Sequence, residues 1–177
     1  DSGYGITTCV PIYEGYPLPQ ASSKINFGGE NLSNLLLTMI QSQLNMKSPI
    51  KGRLCADRIK EAHGYVCRNF DEEENNLSGE NKEIEYTLPD NTTIKMGSEL
   101  YRFSESIFRP QDDSYSNLIQ MITDSTSKCD PDITDEIQSN ICLSGGTTLM
   151  NGYAERIQND LVQKKGNSTF VLNFSPE

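Results

Sequence analysis

Two glycine-rich segments contain the residue types that could bind a phosphorylated ligand. One is the run from Cys142 to Gly152 (CLSGGTTLMNG), where an apolar stretch enters a double-glycine loop and a periodic helix follows. Glycine lets a backbone approach a ligand closely, and a helix start offers free N–H groups with a partial positive charge. The pattern predicts a loop that holds nucleotide or phosphate, and an ordinary tight turn is the alternative.

The second segment opens the chain with DSGYGITT, in which Asp1 precedes Gly3 and Gly5. Glycine N–H groups suit phosphates, and a carboxylate suits a divalent cation or the waters around it. Either segment alone is a weak signal. Because two such loops occur in one chain, we predict that a single nucleotide is clamped between them.

Helical periodicity is clear between and after these loops. In 32–44, leucine, methionine and isoleucine recur every three or four residues, as on one face of a helix. Asp132 is the predicted N-cap of a later helix, and the acidic stretch 71–83 is predicted to be a solvated loop or a frayed helix end. The predicted helices are 32–44, 51–67, 98–108, 117–127, 132–139 and 151–163.

Short strands are predicted among these helices. A turn at Glu14 and Gly15 joins two of them, and alternating apolar residues on both sides of 89–91 predict a β-hairpin. Strands interleaved with long helices indicate an α/β sheet, whose ligand loops lie at the carboxyl ends of its strands. The predicted strands outside the hairpin are 6–13, 16–18, 24–27, 141–144 and 170–174.

Composition excludes several classes of function. The net charge of −10 over 177 residues argues against direct nucleic-acid binding, which needs a basic face. No apolar run approaches the ~20 residues that span a bilayer. The five cysteines fit no zinc spacing and are odd in number, so we predict reduced, partly buried thiols of an intracellular protein.

Six motifs follow one another along the whole chain, and together they resemble the actin family in order and in approximate spacing. The likeness indicates a divergent actin or an actin-related protein. The motifs are Asp1 to Gly5, Pro11 to Tyr16, Ile59 to Glu61 with Tyr65 and Val66, Leu88 to Asp90, Lys128 to Asp130, and Leu143 to Thr148.

The resemblance implies an α/β fold with an actin-like ATPase core of the RNase H-like type and a small α/β insertion lobe. Residues 1–28 and 109–177 would form the core, and 29–108 the smaller helical and hairpin lobe with the return to the core. The chain would be the inner, larger half of such a protein. By itself it would bind ATP weakly, because the opposing phosphate loop would lie outside it.

Site residues follow from the same resemblance. Asp1 would be the metal-side carboxylate, holding Mg²⁺ or Ca²⁺ through water beside the ATP or ADP phosphates. The remaining implied nucleotide-binding residues are Ser2, Gly3 and Gly5 of the phosphate turn, Gly29 near the nucleoside, Lys60 and Glu61 flanking adenine and ribose, Gly145, Gly146 and Thr147 of the adenosine loop, and Leu149 and Met150, where the family usually has methionine and tyrosine.

Three positions depart from the family pattern. Tyr4 stands where actins carry a second acidic residue, and Thr8 where they carry a histidine near the attacking water. These changes weaken the surroundings of the metal and the positioning of water, and predict slow ATP hydrolysis. The polar, acidic segment 109–117 replaces an apolar plug, which predicts weak filament formation because carboxylates are costly at a dry interface.

We therefore predict an ATP-binding, actin-like structural protein, at most a slow ATPase, located in the cytoplasm and cytoskeleton, with the nucleus as a further compartment. Its partners would be other actin-fold subunits or actin-binding proteins, without nucleic acid or membrane. The alternatives are a sugar kinase- or chaperone-type ATPase of the same superfold and a nuclear actin-related subunit of a chromatin complex. No residue is assigned a catalytic role, and His63 is interpreted as structural.

Overall fold

The protein is a mixed α/β structure, as the sequence predicts at that level. The strands are β1 (Thr7–Cys9), β2 (Ile12–Tyr13), β3 (Tyr16–Pro17), β4 (Ser23–Ile25), β5 (Ile84–Thr87), β6 (Thr93–Met96), β7 (Ile141–Leu143) and β8 (Leu172–Phe174). The computed structural model describes residues 1–44, 49–76, 83–88, 91–110, 115–165 and 172–174.

Most of the described residues outside the strands are helical. A 3-10 turn spans Gly146–Leu149. None of the helices within the described ranges is long and apolar enough to cross a bilayer. The α-helices are α1 (Gly29–Ile40), α2 (Pro49–His63), α3 (Phe70–Asn76), α4 (Glu99–Glu105), α5 (Leu118–Ser127), α6 (Pro131–Gln138) and α7 (Tyr153–Lys165).

The strands form four ladders of two strands each among the described residues. β1 and β4 are antiparallel with Thr7 opposite Ile25, whereas β7 and β8 are parallel. The predicted strand 6–13 is interrupted, since its two halves pair with different partners. The predicted turn at Glu14 and Gly15 is present, and both residues have positive φ, 50° and 82°, as a tight hairpin turn requires.

Helix α2 ends at His63, four residues earlier than predicted. The backbone leaves the helix because Tyr65 donates its N–H to the carbonyl of Leu100 and Val66 donates to that of Asn151. Val66 is buried and Tyr65 half-buried. His63 is exposed and meets the ring of Tyr86 edge-on at 5.8 Å.

The predicted N-cap of α6 at Asp132 is wrong. The cap is Asp130, whose carboxylate accepts the N–H of Asp132 at 3.0 Å. Pro131 follows as the first helical residue, where its missing N–H costs nothing. Part of the predicted loop or frayed helix end at 71–83 is helical, because α3 covers 70–76, and 77–82 lie outside the described residues.

The core is built from one apolar face of each long helix. Leu32, Leu36 and Ile40 of α1 are fully buried and pack in one cluster with Ile59 of α2 and Phe103 of α4. The spacing of these α1 residues is the periodicity that predicts the helix. The division into a core (1–28 and 109–177) and a lobe (29–108) stays a prediction.

An ion pair lies inside this core. The guanidinium of Arg156 on α7 donates to both carboxylate oxygens of Glu105 on α4, at 2.8 and 2.7 Å, and to Asp160 at 2.7 Å. Only 3 % of the Arg156 side chain is exposed. Since a buried charge is tolerated only when it is paired, this contact couples α4 to α7.

Three of the cysteines, Cys55, Cys67 and Cys129, are buried, and Cys9 is half-buried, in line with partly buried thiols. All five are free. Cys142 is the exception in burial, because it is exposed on β7.

Candidate functional site

The opening segment folds into a tight turn ahead of β1. Gly3 donates its N–H to the carbonyl of Ile6 at 3.0 Å, and Thr8 donates to the carbonyl of Asp1 at 2.8 Å. The Ser2 and Thr7 hydroxyls are hydrogen-bonded at 2.9 Å in a buried position. The backbone around Gly3 and Gly5 is therefore a compact, supported loop.

The second glycine loop is hydrogen-bonded directly to this turn. Ser2 donates its N–H to the carbonyl of Ser144 at 2.8 Å, and Thr147 donates its N–H to the carbonyl of Ser2 at 3.0 Å. The Thr147 hydroxyl donates to the carbonyl of Gly3 at 2.9 Å, and that of Ser144 to a carboxylate oxygen of Asp1 at 2.9 Å. The two sequence-predicted loops form one structural unit.

Two adjacent glycines in the second loop have different roles. Gly145 has φ of 91°, and a Cβ placed there would lie 2.5 Å from the carbonyl oxygen of Ser2. A Cβ on Gly146 would meet nothing within 4 Å. Gly145 is thus required for the loops to touch, whereas Gly146 faces open space.

A third glycine pair closes the unit from the side of α1. Gly29 donates its N–H to the carbonyl of Gly3 at 3.0 Å, and Glu30 donates to that of Tyr4 at 2.6 Å. A Cβ on Gly28 would lie 2.7 Å from the carbonyl oxygens of both Gly3 and Tyr4. The start of α1 can therefore approach the first turn only because glycine occupies this position.

Lys60 of α2 reaches the same junction but is bound to protein atoms. Its ammonium donates to the carbonyl of Gly29 at 2.9 Å and to the hydroxyl of Ser33 at 2.7 Å, and lies 3.5 Å from the carboxylate of Asp57. An ammonium has three protons to donate, and two of them are used in these hydrogen bonds. The neighbouring Glu61 is exposed.

Several backbone donors of the unit remain available. Among the residues that the structure describes, the N–H groups of Tyr4, Gly5, Gly145 and Gly146 donate to no acceptor. Successive backbone N–H groups in a turn form a concavity that binds anions. Both loops therefore contribute donors that an anionic ligand could accept.

The helix after the second loop does not start where the sequence predicts. A 3-10 turn follows the glycines, and α7 begins only at Tyr153. The chain is held in between because Val66 donates to the carbonyl of Asn151, and a Cβ on Gly152 would lie 2.1 Å from the carbonyl oxygen of Val66. The N-terminus of α7 therefore does not follow the glycines directly, contrary to the sequence prediction.

The two remaining candidates lie beyond the glycines of this loop. Leu149 is 53 % exposed, so its side chain faces solvent. Met150 is half-buried and packs against the apolar core.

A cavity of about 580 Å³ lies beneath the loops. Asp1, Ser2 and Ser144 line one part of it, and most of its wall is apolar, from β1, α5, α6 and β7. Burial raises the pKa of Tyr153 in this wall to about 12, against a smaller opposing effect of Ser2, so its hydroxyl stays protonated. A polyphosphate would not enter an apolar cavity without a large desolvation cost. No sequence pattern predicts this cavity.

The described part of the protein offers few ligands for a metal ion. The carboxylate of Asp1 is exposed at the mouth of the loops and is oriented by Ser144. In the described part of the chain, no group of three or more histidine, cysteine, aspartate or glutamate side chains could hold a metal ion. A divalent cation would fit here only together with phosphates and water, and the water-mediated role of Asp1 stays a prediction.

Comparisons with known proteins agree with the sequence motifs. The family model Actin matches residues 1–176. The actin-like protein 7A of Rattus norvegicus and that of Mus musculus are each 30 % identical over 185 aligned positions. In both cases the alignment covers 99 % of this chain and 40 % of the relative, so the chain spans about two fifths of the length of these relatives.

Proposed function

Since the chain belongs to the actin family, we propose that its two glycine loops together bind an adenine nucleotide, ATP or ADP, with Mg²⁺ or Ca²⁺. The observation that carries this proposal is the direct hydrogen bonding of Ser2 to Ser144 and of Thr147 to Ser2 and Gly3. Loops joined in this way can face one ligand at a fixed spacing.

The phosphates would be bound mainly by backbone. The uncommitted N–H groups of Gly5 and Gly146 belong to different loops, and both residues are exposed. Hydrogen bonds from N–H groups to an ionised oxygen are about twice as strong as those between neutral groups. Asp1 would contact the divalent cation through water, and the cation would offset the negative charge of the phosphates.

We also propose the RNase H-like actin core as the finer fold and a structural role in the cytoskeleton or in an actin-containing complex. The compartments would be cytoplasm and nucleus, and the partners other actin-fold subunits or actin-binding proteins.

Weak filament formation is a further part of this proposal. Arg109, at the start of the polar segment 109–117, is bound by Asp71, and 111–114 lie outside the described residues. Pelleting of the full-length protein with ATP and Mg²⁺ tests whether filaments form, and abundant filaments would contradict the proposal.

Hydrolysis would be slow. Thr8 lacks the imidazole and Tyr4 lacks the carboxylate that the family has at these positions, so two groups that assist water and metal are replaced. A phosphate-release assay on full-length protein and on an ordinary actin under the same conditions measures the difference. Equal rates would refute this part of the proposal.

A thermal-shift titration of the full-length protein with ATP and Mg²⁺ tests nucleotide binding. A ligand that binds only the folded state stabilises it by about 2.7 kcal/mol at a concentration of ~100 Kd. We expect the unfolding temperature to rise with ATP concentration. An unchanged unfolding temperature up to millimolar ATP would remove the basis of the proposal.

A further inference from the structure

Tyr4, in the first glycine turn, has an exposed side chain, yet hydrogen bonds fix both its backbone carbonyl and its hydroxyl. Its backbone carbonyl accepts the N–H of Glu30 at 2.6 Å, and its hydroxyl accepts a hydrogen bond from Arg53 at 2.9 Å. The residue is 53 % exposed. An aromatic ring that is fixed yet accessible can take a planar partner at a small entropic cost.

Two cations of α2 lie over this ring. The guanidinium carbon of Arg53 and the ammonium of Lys60 are each 5.8 Å from the ring centroid. Arg53 is in turn ion-paired with Glu30 of α1. The ring is therefore held against α2 by a hydrogen bond to its hydroxyl and by cation–π attraction.

Lys60 itself is withdrawn from any ligand. Its side chain is 10 % exposed, two of its protons are donated to Gly29 and Ser33, and the carboxylate of Asp57 lies 3.5 Å away. A ligand would have to compete with these acceptors for this ammonium. The aromatic ring of Tyr4 is more accessible than this ammonium.

We propose that Tyr4 is the stacking surface for the nucleoside base, in place of the contact that the resemblance to actins implies for Lys60. This inference rests on the proposed nucleotide binding. Aromatic stacking tolerates any base, because every base has a π face. The protein should therefore distinguish nucleotides from inorganic phosphates more strongly than it distinguishes adenine from guanine.

Tyr4→Ala in the full-length protein tests the assignment, with Tyr4→Phe as the conservative variant. Tyr16→Ala, on the exposed β2–β3 hairpin, is the matched control because its tyrosine is 75 % exposed. The probes are ATP, GTP and inorganic tripolyphosphate, each with Mg²⁺. Equal unfolding temperatures without ligand verify that the variants fold alike.

We expect Tyr4→Ala to weaken ATP and GTP binding by about tenfold or more. Tripolyphosphate binding should be unchanged, and Tyr4→Phe should keep most of the affinity because the ring remains. Equal or tighter ATP binding by Tyr4→Ala would overturn the inference, since a ring that only blocks the site would give that result. Equal losses for ATP and tripolyphosphate would overturn it as well.

The wild-type protein separates failure of this inference from failure of the proposed function. If it binds ATP and Tyr4→Ala binds ATP equally well, the stacking role alone is wrong. If it binds neither ATP nor tripolyphosphate, the nucleotide site is wrong and the stacking role falls with it.

Discussion

The Cα of Gly145 lies so close to the backbone of Ser2 that there is room for its hydrogen atoms but not for a Cβ. A Cβ at position 145 would lie 2.5 Å from the carbonyl oxygen of Ser2, and the φ of Gly145 is 91°. Two segments that are far apart in the sequence therefore meet here through their backbones. Both steric space and backbone conformation make this contact specific to glycine.

Gly145→Ala should separate the two loops. A Cβ there collides with backbone and also requires an unfavourable φ, so we expect a loss of about 1–3 kcal/mol in the free energy of unfolding. Chemical denaturation of the full-length protein measures it. ATP binding should weaken in parallel.

Gly146→Ala is the matched control for that change. It adds the same methyl group one residue later, where nothing lies within 4 Å. Its free energy of unfolding should stay within about 0.5 kcal/mol of the wild type. Equal effects at 145 and 146 would show that the close contact with Ser2 does not hold in solution.

Glu105→Gln should destabilise the protein strongly. It removes the charged, bidentate acceptor of the buried Arg156 guanidinium, which keeps its ion pair with Asp160, so we expect a loss of about 1.5–3 kcal/mol, as for hydrogen bonds to charged groups. Glu85→Gln is the control, since the pair of Glu85 with Lys95 is exposed and such pairs contribute about 0–1 kcal/mol. Similar losses for both variants would contradict the buried arrangement.

Lowering the pH should weaken the two ion pairs that join α3 to Arg102 and Arg109. Hydrogen bonds from Arg109 lower the pKa of Asp71, and those from Arg102 lower the pKa of Glu74. A carboxyl whose folded-state pKa is lowered stabilises the fold above its unfolded pKa and loses this contribution as the pH falls through the folded value. Amide exchange of 70–76 should therefore accelerate, after correction for intrinsic rates, below about pH 4.

The control for this acid effect is Arg102→Gln. It removes the hydrogen bonds that Glu74 accepts at 2.7 Å, so the pH dependence in 70–76 should be smaller. Identical pH profiles for the variant and the wild type would rule out the Glu74 contact as a cause.

The cysteines should react in an order set by burial. Burial, with the nearby Glu73 and Glu105, raises the pKa of the Cys67 thiol to about 12, so it is almost wholly protonated near neutral pH. Cys142 is exposed. Because the thiolate is the reactive form, iodoacetamide at pH 8 should label Cys142 long before Cys67, as peptide mass spectrometry can show. Unfolding in urea should remove the difference, and equal labelling of the native protein would contradict the burial of Cys67.

Local features of the fold were predictable where neighbouring residue types by themselves favour one structure. The turn at Glu14 and Gly15 follows from glycine between two strand patterns, and helix α5 has nearly its predicted limits. The convergence of the two glycine loops was predictable from residue types that suit a phosphorylated ligand. What the loops bind stays a proposal.

Features that depend on distant partners were not predictable. Arg156 and Glu105 are 51 residues apart, and neither has a local pattern that indicates burial. Helix α2 ends early because Val66 bonds to Asn151, a residue far along the chain. The fixed position of Tyr4 depends on Arg53, which no motif connects with the first turn.

Hydrogen exchange of the full-length protein with and without ATP and Mg²⁺ tests the central claim most directly. One nucleotide held between the loops should slow the exchange of amides in both 1–8 and 144–149, at the same nucleotide concentration. The uncommitted N–H groups of Gly5 and Gly146 are the ones expected to gain most. Protection of one loop without the other, or of neither, would contradict a single site built from both.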